Sequence, residues 1–353
     1  LKKDLPFLIP YCAIVLAVNS ILCNQNKSAF VQGMGLRMNK LEKDMVRLGL
    51  TPTGQVLIVN ANLAECFPGN ISENFKDMLS FVNRLPLVVP YAPDILLVQE
   101  VIREGVQYMA RALSEKTGLT YKVTVCPEES VYPYPQQSNS MLTRRDCAII
   151  INTSTIQEED SGGYFPSLIT KEECYHANNA IKEHAYQLVK DKRTNLLFPL
   201  VSLHLLPSKA THNQDIVFIK KGQWVKEICD FVERTYPTQD NQIKVIAGDF
   251  NNKRCIESEE TISCEVYPFW TILTEHYGYM DSVFEIRREG EIGNPEMKRI
   301  DYIFTKGANI IDAASDLDYT AEVQNDPSYF YSDHRMNWAL LKSSSCRKEC
   351  VKT

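Results

Sequence analysis

Asp249 and Asn251 stand two residues apart at the close of an apolar run, "VIAGDFN". In an extended chain such residues share a face, so a carboxylate and an amide point one way while Phe250 points the other. Other segments end in similar fashion. "DILLVQE" closes on Glu100, "LVSLH" on His204, and "RIDYIF" carries Asp301 between apolar neighbours. "YSDHR" presents Asp333 and His334 just before "MNWALL", and "VLIVNANL" holds Asn60 and Asn62. A carboxylate in an apolar strand is costly unless it is paired, hydrogen-bonded or bound to metal. Several such segments therefore suit one shared site. Carboxylates with an amide favour a hard cation such as Mg²⁺ over zinc, because no CxxC or cysteine–histidine cluster accompanies them. With Asp and His neighbours, the chemistry this suits is phosphate-ester hydrolysis: the metal neutralises charge and a base activates water.

The elements that must hold these residues can be read from the same runs. Short continuous apolar segments read as strands covered on both faces. They are "VLIVNANL", "DILLVQEV", "YKVTVC", "CAIIIN", "LLFPLVSLHLL", "IKVIAGDF", "RIDYIF" and "MNWALL". Helical patterning is expected over Asn74 to Asn83, Ile102 to Thr117 and Gly222 to Thr235. The stretch from Cys126 to Arg145, rich in Pro, Tyr, Gln and Ser, reads as a surface loop. No linker-like break interrupts residues 55–342, which read as one large α/β domain. A polar linker with a helix precedes it (24–54), and a short tail follows (343–353).

Composition is that of a globular chain: 353 residues, 44% hydrophobic and 23% charged. A net charge of −6 argues against a broad basic surface for nucleic acid, but not against local basic patches. Candidates are Arg144–Arg145, Lys220–Lys221, Lys253–Arg254, Arg287–Arg288 and Lys298–Arg299, although such pairs are commonly just solvated surface. Lys2 and Lys3 precede an uncharged run from Leu5 to Leu22 that contains Pro6 and Pro10. That pattern suits a signal peptide or membrane anchor over residues 1–23, and so a secreted or extracytoplasmic protein. Eleven cysteines agree with export, and Cys255–Cys264 and Cys346–Cys350 are plausible disulfides. Cys147, on a strand, suits a buried thiol equally well. Asn26, Asn70 and Asn152 fit the glycosylation sequon.

In their order and local form, "QE" at 99–100, "SLHL" at 202–205, "GDFN" at 248–251, "RIDYIF" at 299–304 and "SDH" at 332–334 resemble the endonuclease/exonuclease/phosphatase superfamily. The resemblance covers roughly residues 55–342. It implies two facing mixed β-sheets flanked by helices, a four-layer α/β sandwich of the deoxyribonuclease I-like kind, with the site at one edge. It implies Mg²⁺ as cofactor, with Mn²⁺ able to substitute. Glu100 would be the main metal ligand, oriented by Asn62 (Asn60 being the alternative), with Asp333 near the metal. Asp301 would hold His334 as an Asp–His pair acting on water. Asp249 would align that water or protonate the leaving group, Asn251 would donate to the phosphoryl oxygens, and His204 would contact phosphate. Two of these have ordinary readings too: His204 as a satisfied strand histidine, and Asp301 as a structural partner of Arg299. His176, His184, His212 and His276 match no motif and are expected at the surface.

The fifth motif lacks the Cys-Asp-Arg form usual in inositol polyphosphate 5-phosphatases. Val101 and Arg299 stand where abasic-site endonucleases usually carry Lys and Trp. An exported endonuclease acting on DNA or RNA is the leading expectation, with Arg145, Lys253 and Arg254 as substrate contacts. The alternative is a sphingomyelinase-like phospholipid phosphodiesterase, using aromatics at 131–137 and 266–270 to enter a lipid interface. A binding protein that kept the fold and lost the chemistry is a third reading. The expected partner is a phosphodiester, with no protein partner evident.

Overall fold

Side chains along β1 (Gln55–Asn62) alternate between two apolar layers, and this alternation explains the architecture. Val56 and Ile58 face one cluster of buried residues, while Leu57 and Val59 face another. A strand buried on both sides carries no polar face, hence its unbroken apolar run. The computed structural model describes residues 48–63, 71–127, 142–169, 180–205, 214–251, 268–287, 299–316, 332 and 334–344, all within the compact unit Arg47–Thr353.

In the first sheet β1 lies parallel to β2 (Ile95–Gln99) and antiparallel to β14 (Asn337–Ser343). β5 (Cys147–Asn152), β3 (Tyr121–Val125) and β13 (Ala308–Ser315) complete its six strands. The second sheet is centred on the parallel pair β9 (Leu197–His204) and β10 (Lys244–Asp249). β12 (Asp301–Lys306) and then β11 (Met280–Asp281) extend it beyond β10, and β8 (Ala180–Asp191) pairs antiparallel with β9. β4 (Leu142–Arg145), β6 (Ile156–Glu158) and β7 (Gly163–Ile169) all pair with β8.

Ile58, Leu97, Ile149, Phe198, Val245 and Ile303 fill the space between the sheets. Outside the first sheet lie α1 (Ile71–Val88) and α2 (Arg103–Thr117), with Phe81 and Met109 packed on Leu57 and Leu96. Outside the second lie α3 (Gln214–Thr235) and α4 (Pro268–Thr271), the latter running into a π-helical turn at Ile272–His276. A short helix α5 (Ser282–Arg287) follows β11. The expected four-layer sandwich is therefore present. Burial of its aliphatic side chains stabilises by about 1.5–3 kcal/mol each, offset by chain entropy.

Several local expectations need correction. All three expected helices exist, but α1 continues through Pro86 and α3 begins at Gln214. β8 was not expected, and the stretch read as a loop ends in β4. His184 is wholly buried, whereas His276 is exposed as expected. Lys221, assigned to a surface pair, is also buried. Among the described residues no disulfide forms: Cys126 and Cys229 are free, and the Cys147 Sγ lies 3.6 Å from Asp146 Oδ1. Residues 1–23, the Cys255–Cys264 and Cys346–Cys350 pairs, His176 and His212 lie outside the described residues. Among those described, no helix is long and apolar enough to cross a membrane.

Candidate active site

Register brings the polar strand ends together. Asp249 is the cross-strand partner of His204 on one side and of Asp301 on the other. From the facing sheet, Asn62 pairs with Gln99, and Glu100 follows directly. Asn62 joins the two halves: its Nδ2 donates to Glu100 Oε1 and to Asp249 Oδ2, both at 3.0 Å. Asn60, the alternative in that role, instead accepts from Gln99 Nε2 at 3.0 Å. Gln99 Nε2 also donates to Ser202 Oγ, 2.9 Å away on β9, so a buried polar bridge ties the sheets beneath Glu100.

Two imidazoles approach Asp249, each held from behind by a carboxylate. His334 Nδ1 lies 2.8 Å from Asp301 Oδ2, and its Nε2 stands 4.0 Å from Asp249 Oδ2. His204 Nδ1 lies 2.9 Å from Asp146 Oδ2, leaving Nε2 at 3.3 Å from Glu100 Oε1 and 3.7 Å from Asp249 Oδ2. A carboxylate on Nδ1 favours the tautomer protonated there and leaves Nε2 to exchange a proton. Asp301 therefore pairs with His334, while Arg299 binds Asp281 at 2.9 Å and covers the Tyr302 ring. Burial pushes the Asp301 carboxyl up to about 6; His334 opposes that rise and Asp249 adds to it.

Asp146 has no counterpart among the residues singled out by sequence. It is the single residue between β4 in the second sheet and β5 in the first, where the chain crosses over. Its carbonyl accepts from the Val101 amide at 3.1 Å, which anchors it beside Glu100. The only sequence signal was an acidic residue just ahead of the apolar run "CAIIIN".

The "GDFN" turn is held tightly. A Cβ on Gly248 (φ 152°) would lie 1.9 Å from the Leu203 carbonyl oxygen, so glycine permits the close approach of β10 to β9. Glu100 (φ 56°) and Asn251 (φ 49°) both occupy the left-handed region, which costs non-glycine residues of order 1–3 kcal/mol. Asn251 repays part of this through its N–H to Asp249 Oδ1 at 2.6 Å. Its Nδ2 donates to Leu205 O at 2.8 Å and to Asp249 Oδ2 at 3.0 Å. In this arrangement its N–H and Nδ2 serve Asp249 and the backbone. Lys221 Nζ donates to the Asn251 carbonyl at 2.6 Å.

Two groups could hold a cation: Glu100, His204 and Asp249, and Asp249, Asp301 and His334, with ligand atoms within 4.8 Å of one another in each. Among the described residues Asp301 Oδ1 is buried with no hydrogen-bond partner. Oxygen donors outnumber imidazoles and neither group contains sulfur, which fits a hard divalent cation. Asp333, Lys253 and Arg254 lie outside the described residues; Arg145 ends β4, opposite Glu183 on β8.

The architecture is that of the deoxyribonuclease I-like fold, and solved structures share it. An endonuclease/exonuclease/phosphatase from Bacteroides vulgatus matches with a TM-score of 0.54 and 15% identity, over 82% of this chain and 99% of that one. The human Nocturnin catalytic domain with bound sulfate matches at 0.52 and 16%, over 84% and 97%. An endonuclease/exonuclease/phosphatase family protein from Leptotrichia buccalis matches at 0.50 and 14%, over 81% and 99%. A scan against protein-family models finds no match, and neither does a search of curated proteins.

Proposed function

We propose that this chain is a divalent-metal-dependent phosphodiester hydrolase of the endonuclease/exonuclease/phosphatase superfamily, exported, with nucleic acid as its substrate. The observation that carries the chemistry is the approach of two carboxylate-backed imidazoles to the one carboxylate of Asp249. Hydrolysis of a diester needs one group to take a proton from water and another to give one to the departing oxygen. His334 and His204, 4.0 and 3.7 Å from Asp249 Oδ2, can supply the two, with Asp301 and Asp146 fixing their orientation. Water attacks phosphorus, its proton passes to one imidazole, and the P–O bond breaks as the other imidazole protonates the leaving oxygen. Asp249, held by Asn62 and Asn251, aligns the water. Mg²⁺ or Mn²⁺ on Glu100 and Asp249, with Asp333 nearby, would neutralise the charge building on the phosphoryl oxygens.

Nucleic acid is favoured over phospholipid by the packing of one candidate lipid-entry stretch. Phe269, in the stretch "VYPFW", is fully buried, its ring tilted against that of Phe250 with centroids 5.2 Å apart, rather than facing outward. The deciding experiment is cleavage of plasmid DNA, RNA and sphingomyelin liposomes across a salt series. Cleavage of nucleic acid that weakens steeply with salt is expected, since released counterions give slopes near −0.9 per neutralised phosphate on duplex DNA. Salt-insensitive liposome hydrolysis with nucleic acid intact would transfer the assignment to a phospholipid phosphodiesterase. Failure to cleave any phosphodiester would leave a binding protein on this fold.

A further inference from the structure

α3 buries an apolar stripe at 224, 225, 228, 229 and 232, occupied by Trp224, Val225, Ile228, Cys229 and Val232. One turn earlier on the same stripe stands Lys221, with no exposed surface. A core position of this kind normally takes an aliphatic residue. Desolvating an ammonium costs several kcal/mol even after relaxation, and apolar replacements of buried charges are often neutral or stabilising. Fold stability alone is therefore a poor reason for lysine here. Its Nζ lies 2.6 Å from the carbonyl of Asn251, the residue that holds Asp249 from two directions in a left-handed conformation.

We propose that Lys221 is a positioning residue, which pins the Asn251 carbonyl from inside the core and so fixes the orientation of Asp249. This rests on the phosphodiesterase reading of the site. A charged donor from a helix, clamping this carbonyl, fixes the peptide plane after Asn251. With the left-handed φ, it restrains the Cα from which the N–H to Asp249 Oδ1 and the Nδ2 to Asp249 Oδ2 both project. Charge-assisted hydrogen bonds of this type are roughly twice as strong as neutral ones, enough to offset a strained backbone. Burial pushes the Lys221 amine down to about 8 while Asp249 opposes the shift. That balance agrees with a cation kept dry beside an anion.

The test compares Lys221→Met with wild type on a soluble phosphodiester at saturating Mg²⁺, together with amide hydrogen exchange in EDTA. The variant is expected to melt within about 3 °C of wild type, because Met fills the stripe. We expect kcat to fall roughly 10- to 100-fold with KM changed less than about threefold, as for lost alignment rather than lost binding. In an Asn251→Gly background the further loss from Lys221→Met should shrink to within about threefold, since residues acting through one contact are not additive. Exchange across 249–251 should quicken at least about tenfold while β9 is unchanged. That readout needs no activity, so it separates this inference from the function of the site. Unchanged kcat, unchanged exchange, or full additivity with Asn251→Gly would overturn it. If Lys221→Met and Lys221→Leu both fail to fold, the lysine is structural and the inference falls.

Discussion

His204 is held by Asp146 across the seam between the two sheets, Nδ1 to Oδ2 at 2.9 Å, from the single residue between β4 and β5, where the chain passes from the second sheet to the first. The contact sets which nitrogen of His204 carries the proton. Asp146→Asn should therefore leave the imidazole in place but scramble its tautomer. Loss of such an outer partner typically costs 10- to 100-fold. We expect kcat to fall by about that factor with little change in melting temperature. Steady-state kinetics beside differential scanning fluorimetry decide it, and a wild-type kcat would remove Asp146 from the mechanism.

Asp249→Ala and His334→Ala should each lower kcat by roughly two to four orders of magnitude, as expected for a water-aligning or proton-transferring group. The two differ in what they leave behind. Asp249 is wholly buried and accepts from Asn62 and Asn251, so its loss orphans several donors. It should destabilise by about 1–3 kcal/mol. His334 is partly exposed and should cost less. Urea denaturation beside turnover measures both effects, and retention of more than about a tenth of kcat would exclude either residue from the chemistry.

The pH dependence follows from Asp301. Its folded carboxyl is pushed up to about 6 from 3.8, so between those values the folded protein binds more protons than the unfolded one. Stability of the metal-free protein should therefore be fullest below about pH 4 as far as Asp301 is concerned, and be lost as pH rises through about 6. Activity runs the other way, because only the carboxylate accepts from His334 Nδ1. Urea titrations of wild type and Asp301→Asn in EDTA, from pH 4 to 7, should diverge in that direction. If the two curves run parallel, Asp301 does not titrate in this window.

Chelation should abolish hydrolysis of bis-p-nitrophenyl phosphate, and Mg²⁺ or Mn²⁺ should restore it. The ion should also raise the melting temperature by mass action, about 2.7 kcal/mol at a hundredfold excess over Kd. Glu100→Gln should remove most of that gain, since Glu100 carries one end of the oxygen set. Full activity after exhaustive chelation would refute the metal assignment.

Much of this geometry could be read from the sequence, for a physical reason. β1, β2, β5, β9, β10, β12 and β14 are covered on both sides, so their apolar runs are continuous, and a lone Glu, His or Asp at an end stands out. β8 escaped because it buries His184, Gln187 and Asp191 along with Ala185 and Val189, which gives no clean alternation. β4 is the polar segment "LTRR". Asp146 goes unmarked in the sequence and Lys221 reads only as half of a surface pair for another reason: what marks them is a partner 58 and 30 residues away, a relation that local pattern does not carry.

Asn62 and Glu100 ride on one sheet, while His204, Asp249 and Asp301 ride on the other. Ile149, Leu97, Phe198 and Val245 lie packed between the sheets. The distance from Glu100 to His204 and Asp249 is thus a thickness, set by the volume of hydrocarbon sandwiched well below them. A single methylene removed there, as in Ile149→Val, lets the two plates settle closer by a fraction of an ångström. Such a change typically costs about 0.5–1.5 kcal/mol of stability, and turnover, which depends on that gap through alignment, should fall with it. For the proposed hydrolase, turnover would thus serve as a caliper on its own core.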